Sequence, residues 1–220
     1  MAIKGIDVSR WQTVIDFEKV KSSGIDFVII KAGGSDKGLY TDSYFETNYQ
    51  KAKAAGLKVG AYYFVGKKFL GAENGRADAQ RFIAQLSGKQ FDFPVYLDLE
   101  TTEARYKKEA TEAAITFCEE LEKAGFFVGI YASDISGFKD RLEYDKVKRF
   151  TIWAARYNTN PPEYATDYQI WQYSSKGSVP GIVGSVDMDT ALTDFSKVII
   201  SKGFNGYPKK SKAKKKNEEA

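Results

Sequence analysis

The amino-acid sequence predicts an α/β fold, a distorted TIM-like (β/α) barrel with about eight strands. Apolar runs rich in Val, Ile, Tyr and Phe recur along the 220 residues, and helical segments separate several of them. Gly56 and Gly125 end two of these helical segments just before the next apolar run, where glycine commonly terminates a helix. Strand, helix and Gly-containing turn in repeated order are typical of a parallel α/β sheet.

The individual elements follow from composition and periodicity. Eight runs have the composition of buried strands, at residues 3–8, 26–32, 58–64, 94–100, 126–131, 150–155, 168–173 and 184–189. Residues 44–56, 75–86 and 106–125 have helical periodicity, and in the last of these Ala110, Phe117 and Leu121 mark one apolar face. The connections before residues 168 and 184 are too short for a full helix, which predicts that the barrel is irregular.

The absence of histidine restricts the chemistry. It removes Ser-His-Asp and Cys-His nucleophiles and His-containing zinc sites together. The single cysteine, Cys118, lies among apolar helical residues, so we expect a buried small side chain rather than a reactive thiolate. An enzyme with this composition must use carboxylates, tyrosines, lysines or a cation bound through oxygen.

The charge of the chain is concentrated at its C-terminus. The last thirteen residues hold six lysines and two glutamates, which account for the whole net charge of +4. We therefore predict a barrel over 1–202 and a Lys-rich flexible tail or linker over 203–220. Either the tail only aids solubility or it attaches the protein to an anionic polymer. A neutral body argues against a nucleic-acid-binding protein.

No segment of the sequence has the features of a membrane anchor or a leader. No run approaches the ~20 apolar residues of a membrane span, and the first residues lack the apolar centre of a signal peptide. The expectation is a protein made in the cytoplasm and exported by other means. A monomer is the default oligomeric state.

The segment PVYLDLE, residues 94–100, carries two acids in an apolar strand. Side chains two residues apart point to the same face, so Asp98 and Glu100 share one side with Tyr96. In a parallel barrel this end of the strand opens onto the active-site face. Taken alone, such a pair could equally serve in capping or in a salt bridge.

Two further acids are expected at the same mouth. Asp7 lies late in the first strand and Asp187 late in the last, and these strands are neighbours in a closed barrel. Crowded carboxylates at an apolar mouth raise at least one pKa. A protonated acid beside an ionised one suits glycosidic bond cleavage, with a stereochemical course that the spacing leaves open. The rival interpretation is a Mg²⁺ or Ca²⁺ site.

Aromatic residues supply a third indication. Tyr62, Tyr131 and Trp153 lie at the same end of the barrel as the acids, where their rings could stack on a sugar. For Phe64 and Trp171 we favour an ordinary core position.

The sequence resembles the lysozymes of glycoside hydrolase family 25, the Chalaropsis-type muramidases, including phage endolysins. The resemblance runs to about residue 195 and rests on several motifs in the same order. These are GIDVSRWQ, FVIIKAGG, YTDSYFETNYQKAKAAGLKVGAYYF, PVYLDLE, VGIYAS, WAARY, IWQYSS and VPGIVGSVDMD. It implies a flattened, irregular β/α barrel that hydrolyses the β-1,4 bond between N-acetylmuramic acid and N-acetylglucosamine in bacterial peptidoglycan, without a cofactor or metal.

The resemblance also implies roles for individual residues. Glu100 matches the general acid and Asp98 its partner carboxylate, which would orient the substrate's own N-acetyl group as nucleophile. Asp7 and Asp187 match the two acids that complete the mouth. The segments that line the family's substrate groove contain Lys31, Tyr62, Tyr131 and Trp153.

Two features depart from the family's pattern. Tyr63 stands where many relatives carry histidine, and a Lys-rich segment stands where many carry wall-binding repeats. Release of the protein to the wall by a holin would fit a phage endolysin, and a bacterial autolysin whose leader has been removed would fit equally. The alternative function from another class is a non-catalytic barrel that binds cell-wall glycan, although the Asp98–Glu100 pair argues against it.

Overall fold

The structure is a computed structural model that describes residues 2–209. Nine strands run along the chain: β1 (Ile3–Val8), β2 (Phe27–Gly34), β3 (Tyr40–Thr41), β4 (Lys58–Phe64), β5 (Val95–Asp98), β6 (Val128–Ser133), β7 (Thr151–Ala155), β8 (Ile170–Gly177) and β9 (Val186–Ala191). The α-helices are α1 (Phe17–Ser22), α2 (Phe45–Ala54), α3 (Gly71–Leu86), α4 (Lys107–Lys123), α5 (Tyr144–Val147) and α6 (Phe195–Lys202).

Eight of the strands close into a barrel. Their order is β1-β9-β8-β7-β6-β5-β4-β2, and pairing between β1 and β2 closes the ring. All eight predicted strands are present, so the predicted α/β barrel is confirmed. The two-residue β3, which pairs with the end of β2, was not predicted.

One barrel strand differs from a purely parallel arrangement. Strand β9 runs antiparallel to both of its neighbours, β1 and β8. The reason is the short connection after β8, because a parallel crossover needs a dozen or more residues and usually a helix. The final helix α6, absent from the sequence prediction, therefore leaves from the end of the barrel opposite the mouth.

Alternating side chains separate two apolar layers. On β5, Val95 and Leu97 pack with the outer helices, whereas Tyr96 points into the barrel, where Phe27 and Phe93 also lie. This alternation places Asp98 on the inner side, as the sequence pattern predicts.

The outer layer depends on close contact between α3 and α4. The predicted apolar face of α4 is buried, and Cys118 is fully buried within it, as predicted. A Cβ atom on Gly75 of α3 would lie 2.3 Å from the carbonyl oxygen of Ala113, so only glycine allows this approach.

The segment after α6 differs from the sequence prediction of a flexible tail beginning at residue 203. Asn205 is fully buried at the foot of the barrel. Its Oδ1 accepts a hydrogen bond from Phe127 N at 2.7 Å, and its Nδ2 donates to the carbonyl oxygens of Phe91 and Phe93 at 3.3 and 2.9 Å. Tyr207 donates a hydrogen bond to Asp92 at 2.5 Å. The residues up to 207 thus pack on the barrel, and the lysines of 210–220 lie outside the described residues.

Within residues 2–209, no helix combines the length and the apolar composition needed to cross a bilayer.

Candidate active site

The backbone fixes the two acids of PVYLDLE at the mouth of the barrel. Asp98 is the last residue of β5, and its carbonyl oxygen accepts a hydrogen bond from Val65 N at 3.0 Å. Leu99 N donates to the carbonyl oxygen of Tyr131 at 3.0 Å, which holds the chain in register with β6. Glu100 follows the strand, at the start of the loop that leads to α4.

Asp98 and Glu100 have opposite environments. Asp98 is only 4% exposed, whereas Glu100 is exposed to solvent. Burial and the neighbouring Glu100 carboxylate raise the pKa of Asp98 well above its ordinary value, and the two carboxyls lie within hydrogen-bonding reach. Asp98 Oδ1 is also buried with no donor among the described residues. A raised pKa means that Asp98 keeps its proton more readily, which lessens the repulsion between the two groups.

Asp7 and Asp187 face each other across the β1–β9 pair. Their Cα atoms are register partners, which confirms that the first and last barrel strands bring these residues together. Burial, together with the Glu100 carboxylate, raises the pKa of Asp187 to about 6. Burial raises the pKa of Asp7 well above its usual range, and the charges of Asp189 and Asp187 add to this effect.

A fifth carboxyl, Asp189, lies one step deeper and was not singled out from the sequence. It is fully buried, and burial raises its pKa to about 8. Its Oδ1 accepts a hydrogen bond from Trp153 Nε1 at 2.8 Å, and its carboxyl lies within hydrogen-bonding reach of Asp7. Two buried carboxyls in contact must share a proton at neutral pH, because both cannot be ionised there. The i, i+2 spacing with Asp187 in SVDMD was the available signal.

Gln172 of β8, also missed in the sequence, connects the aromatic and acidic sides of the mouth. Its Nε2 donates to Asp7 Oδ2 at 2.7 Å. Its Oε1 accepts hydrogen bonds from the hydroxyls of Tyr131 at 2.8 Å and Tyr157 at 2.9 Å. Gln172 therefore orients Asp7 and Tyr131 together. The only signal in the sequence was a polar residue between Trp171 and Tyr173, two positions after the apolar Ile170.

Lys31 is the cation beside the acids. Its Nζ lies 4.3 Å from the centroid of the Phe64 ring and 5.7 Å from that of Tyr62. Its charge opposes the rise in the pKa of Asp98. Lys31 therefore offsets part of the negative charge at the mouth, and the aromatic rings hold its side chain in place.

The structure brings the predicted acids, Lys31, Tyr62 and Tyr131 together, but it places Trp153 differently. The indole of Trp153 is 1% exposed and packs against Tyr131, with ring centroids 4.4 Å apart. Trp153 thus supports Asp189 and Tyr131 from beneath, which disagrees with the substrate contact predicted from the sequence. Its aromatic type and strand-end position could not distinguish the two cases.

The rival interpretation of these acids was a cation bound through oxygen. Among residues 2–209, no group of three or more Asp, Glu, His or Cys side chains is arranged to hold a metal ion.

Carboxyls with raised pKa values beside ionisable partners, at the mouth of a β/α barrel, are typical of the class of carboxylate-dependent glycoside hydrolases. Comparison with known proteins gives the family. The chain belongs to the family described as glycosyl hydrolases family 25, whose model matches residues 6–182.

Individual relatives agree with this assignment. The autolytic lysozyme of Clostridium acetobutylicum is 35% identical over 202 residues, which cover 91% of this chain and 58% of that protein. The N,O-diacetylmuramidase of Chalaropsis sp is 29% identical, over 81% of this chain and 82% of that protein. The solved structure of the CTP1L endolysin has a TM-score of 0.77 and 29% identity, and the match covers 90% of this chain and 69% of that chain.

Proposed function

We propose that this family 25 glycosyl hydrolase is a lysozyme, a 1,4-β-N-acetylmuramidase that hydrolyses the bond between N-acetylmuramic acid and N-acetylglucosamine in peptidoglycan. The observation that carries the proposal is the buried Asp98, whose pKa is raised well above its ordinary value by burial, beside the exposed Glu100 at the mouth of the barrel. Relatives named lysozyme and muramidase support the choice of bond.

The position of the proton on the pair depends on what covers Glu100. In the free protein Glu100 is hydrated and Asp98 is buried, which favours the proton on Asp98. A glycan lying over the mouth removes water from Glu100 and raises its proton affinity. The proton then passes to Glu100, which becomes the general acid, while Asp98 becomes the ionised partner that Lys31 stabilises.

Bond cleavage follows from these two states. Glu100 protonates the glycosidic oxygen as the bond from C1 breaks, and the N-acetamido carbonyl oxygen of the same sugar bonds to C1. The Asp98 carboxylate stabilises the positive charge on the acetamido N–H. Glu100, now ionised, removes a proton from water as the water oxygen bonds to C1 and restores the acetamide. The product carries a reducing N-acetylmuramic acid end.

The mouth contains three further carboxyls besides the catalytic pair, those of Asp7, Asp187 and Asp189. Their mutual repulsion favours protonation of the group that the substrate covers. Tyr131 is held by its hydrogen bond to Gln172, and Tyr62 packs against Trp153. The two tyrosines complete the floor under the sugar.

The bacterial wall is the expected site of action, with release by a holin as one route. Attraction of the lysines in 210–220 to anionic wall polymers would add to retention there.

The experiment is a digest of purified peptidoglycan, followed by borohydride reduction and mass spectrometry of the fragments. We expect reduced N-acetylmuramic acid ends with the wild type and with Glu112→Gln, an exposed acid on α4 that serves as the matched control. Glu100→Gln should release none.

Other outcomes are equally informative. Reduced N-acetylglucosamine ends would overturn the proposed bond. Sedimentation of the wild type with the wall, without any release of fragments, would favour the non-catalytic glycan-binding barrel.

A further inference from the structure

A second cavity opens beside the carboxylate mouth. It has a volume of about 870 Å³, within the range of small-molecule sites. Its walls are the loop after β2, the loop after β4, the beginning of α3 and Thr101. Because β2, β4 and β5 are parallel, the cavity lies at the same end of the barrel as Glu100, which immediately precedes Thr101.

Cations surround this cavity. Lys37, Lys67, Lys68 and Arg81 all line it and are all exposed. Within residues 2–209 none of these four forms an ion pair, whereas other surface cations, such as Lys53 and Lys58, pair with an aspartate. Four unpaired cations around one concave surface favour an anionic ligand.

Hydrogen bonds connect the residues at the floor of the cavity. Asp78 is buried and accepts hydrogen bonds from Ser35 Oγ at 2.8 Å and from the Tyr63 hydroxyl at 3.3 Å. Ser35 Oγ also accepts from Gly66 N at 3.3 Å, which ties the two loops together. Tyr63, the residue that stands where many relatives carry histidine, therefore serves this cavity rather than the mouth.

The cavity also offers an acceptor. Asp36 lines it close to the Tyr40 hydroxyl, and its buried Oδ1 forms no hydrogen bond within residues 2–209. A ligand with both carboxylates and amide N–H groups would satisfy the cations and Asp36 together. A peptide with several free carboxylates has this combination.

Phe64 joins the cavity to the mouth. It lines the cavity, it is the register partner of Asp98, and its ring contacts Lys31. When C1 of an N-acetylmuramic acid residue lies over Glu100, C3 of the same ring carries the lactyl group to which the peptide is attached. That peptide therefore begins close to the mouth, within reach of the adjacent cavity.

We infer that this cavity binds the stem peptide of the muramic acid whose bond is cleaved, through the carboxylates of the peptide. The inference rests on the proposed muramidase function, and it makes the peptide a determinant of substrate selection. Lys67, Lys68 and Arg81 are the contacts that distinguish a peptide-bearing strand from a bare one.

The test compares two substrates, peptidoglycan strands with stem peptides and the same strands after an amidase has removed the peptides. The variant is Lys67→Gln/Lys68→Gln/Arg81→Gln. The matched control, Lys4→Gln/Lys197→Gln/Lys202→Gln, removes three exposed cations from the opposite end of the barrel. Release of reducing ends gives kcat/KM, and thermal melting verifies that each variant is folded.

We expect the cavity variant to lose about tenfold or more in kcat/KM on peptide-bearing strands, since exposed charge contacts each contribute modestly. Its kcat/KM on bare strands should equal that of the wild type, and the control should match the wild type on both.

Equal losses on both substrates would indicate general attraction to anionic wall polymer and overturn the inference, as would no loss on either. If the wild type cleaves neither substrate, the proposed function itself fails. If it cleaves both substrates equally well, only the peptide site fails.

Discussion

Replacing Asp189 with Asn should make the protein more stable at neutral pH, although it alters a fully buried side chain. Asp189 keeps a proton up to a pKa of about 8 because of its burial, while the unfolded chain loses that proton near 3.8. Between these values the folded state binds one more proton than the unfolded state. The free energy of unfolding therefore falls as the pH rises through this window.

The magnitude follows from a single proton. One retained proton changes the free energy of unfolding by about 1.4 kcal/mol per pH unit, or roughly 3 kcal/mol between pH 5 and pH 7. The Asn side chain removes this dependence without losing contacts. Its oxygen accepts the hydrogen bond from Trp153 Nε1, and its amide N–H donates to Asp7, whose pKa burial still raises.

The assay is urea unfolding at pH 5, 6 and 7, followed by tryptophan fluorescence. The stability of Asp189→Asn relative to the wild type should increase by about 1.4 kcal/mol for each pH unit. Asp7, Asp98 and Asp187 add to the pH dependence of both proteins, so the difference between them isolates Asp189.

Asp145→Asn is the control, because the exposed Asp145 is paired with Lys148 and its pKa is lowered. It is ionised in both states over this window, so its stability difference from the wild type should not vary with pH. A difference between Asp189→Asn and the wild type that is constant from pH 5 to pH 7 would refute the shared proton.

Three further predictions concern residues around the site and the core. Asn205→Ala should lower the free energy of unfolding by about 2–4 kcal/mol in urea titrations, because the backbone groups that Asn205 bonds would remain buried and unpaired. A loss below ~1 kcal/mol would mean that the segment around Asn205 is not part of the fold. Gln172→Leu should lower kcat at least about tenfold while the protein stays folded by circular dichroism, because Asp7 and Tyr131 lose their shared partner; wild-type kcat would contradict that role. Gly75→Ala should destabilise the protein in thermal melting despite the ~1 kcal/mol helix preference for Ala, because the added Cβ would meet the backbone of Ala113. An increase in Tm would contradict the close contact between α3 and α4.

The sequence by itself determined the barrel strands and most of the acidic mouth. Asp98 and Glu100 are two residues apart at the end of an apolar run, so strand periodicity predicts that they share one face. Barrel closure makes Asp7 and Asp187 neighbours. Both inferences depend on local spacing and on a general rule of topology, so no knowledge of packing is needed. The lack of histidine then limits the available chemistry to carboxylates, tyrosines, lysines or a cation bound through oxygen.

Other features were decided only by the tertiary structure. Asp189 and Gln172 became part of the site because antiparallel β9 and its neighbour β8 turn them inward beside Asp7. Gln172 and Asp7 are 165 residues apart, so the sequence does not reveal that they are hydrogen-bond partners. Trp153 is buried beneath Tyr131 and Asp189, and its residue type alone could not distinguish a core ring from an exposed one.

The described residues after α6 show the same limit of prediction from sequence. The segment around Asn205 has the composition of a tail, yet its polar side chain satisfies backbone groups of three distant residues. Hydrogen bonds of this kind depend on which strand ends the fold brings together. Composition reports only how readily a segment is solvated, and the assembled barrel determines whether its polar groups find partners.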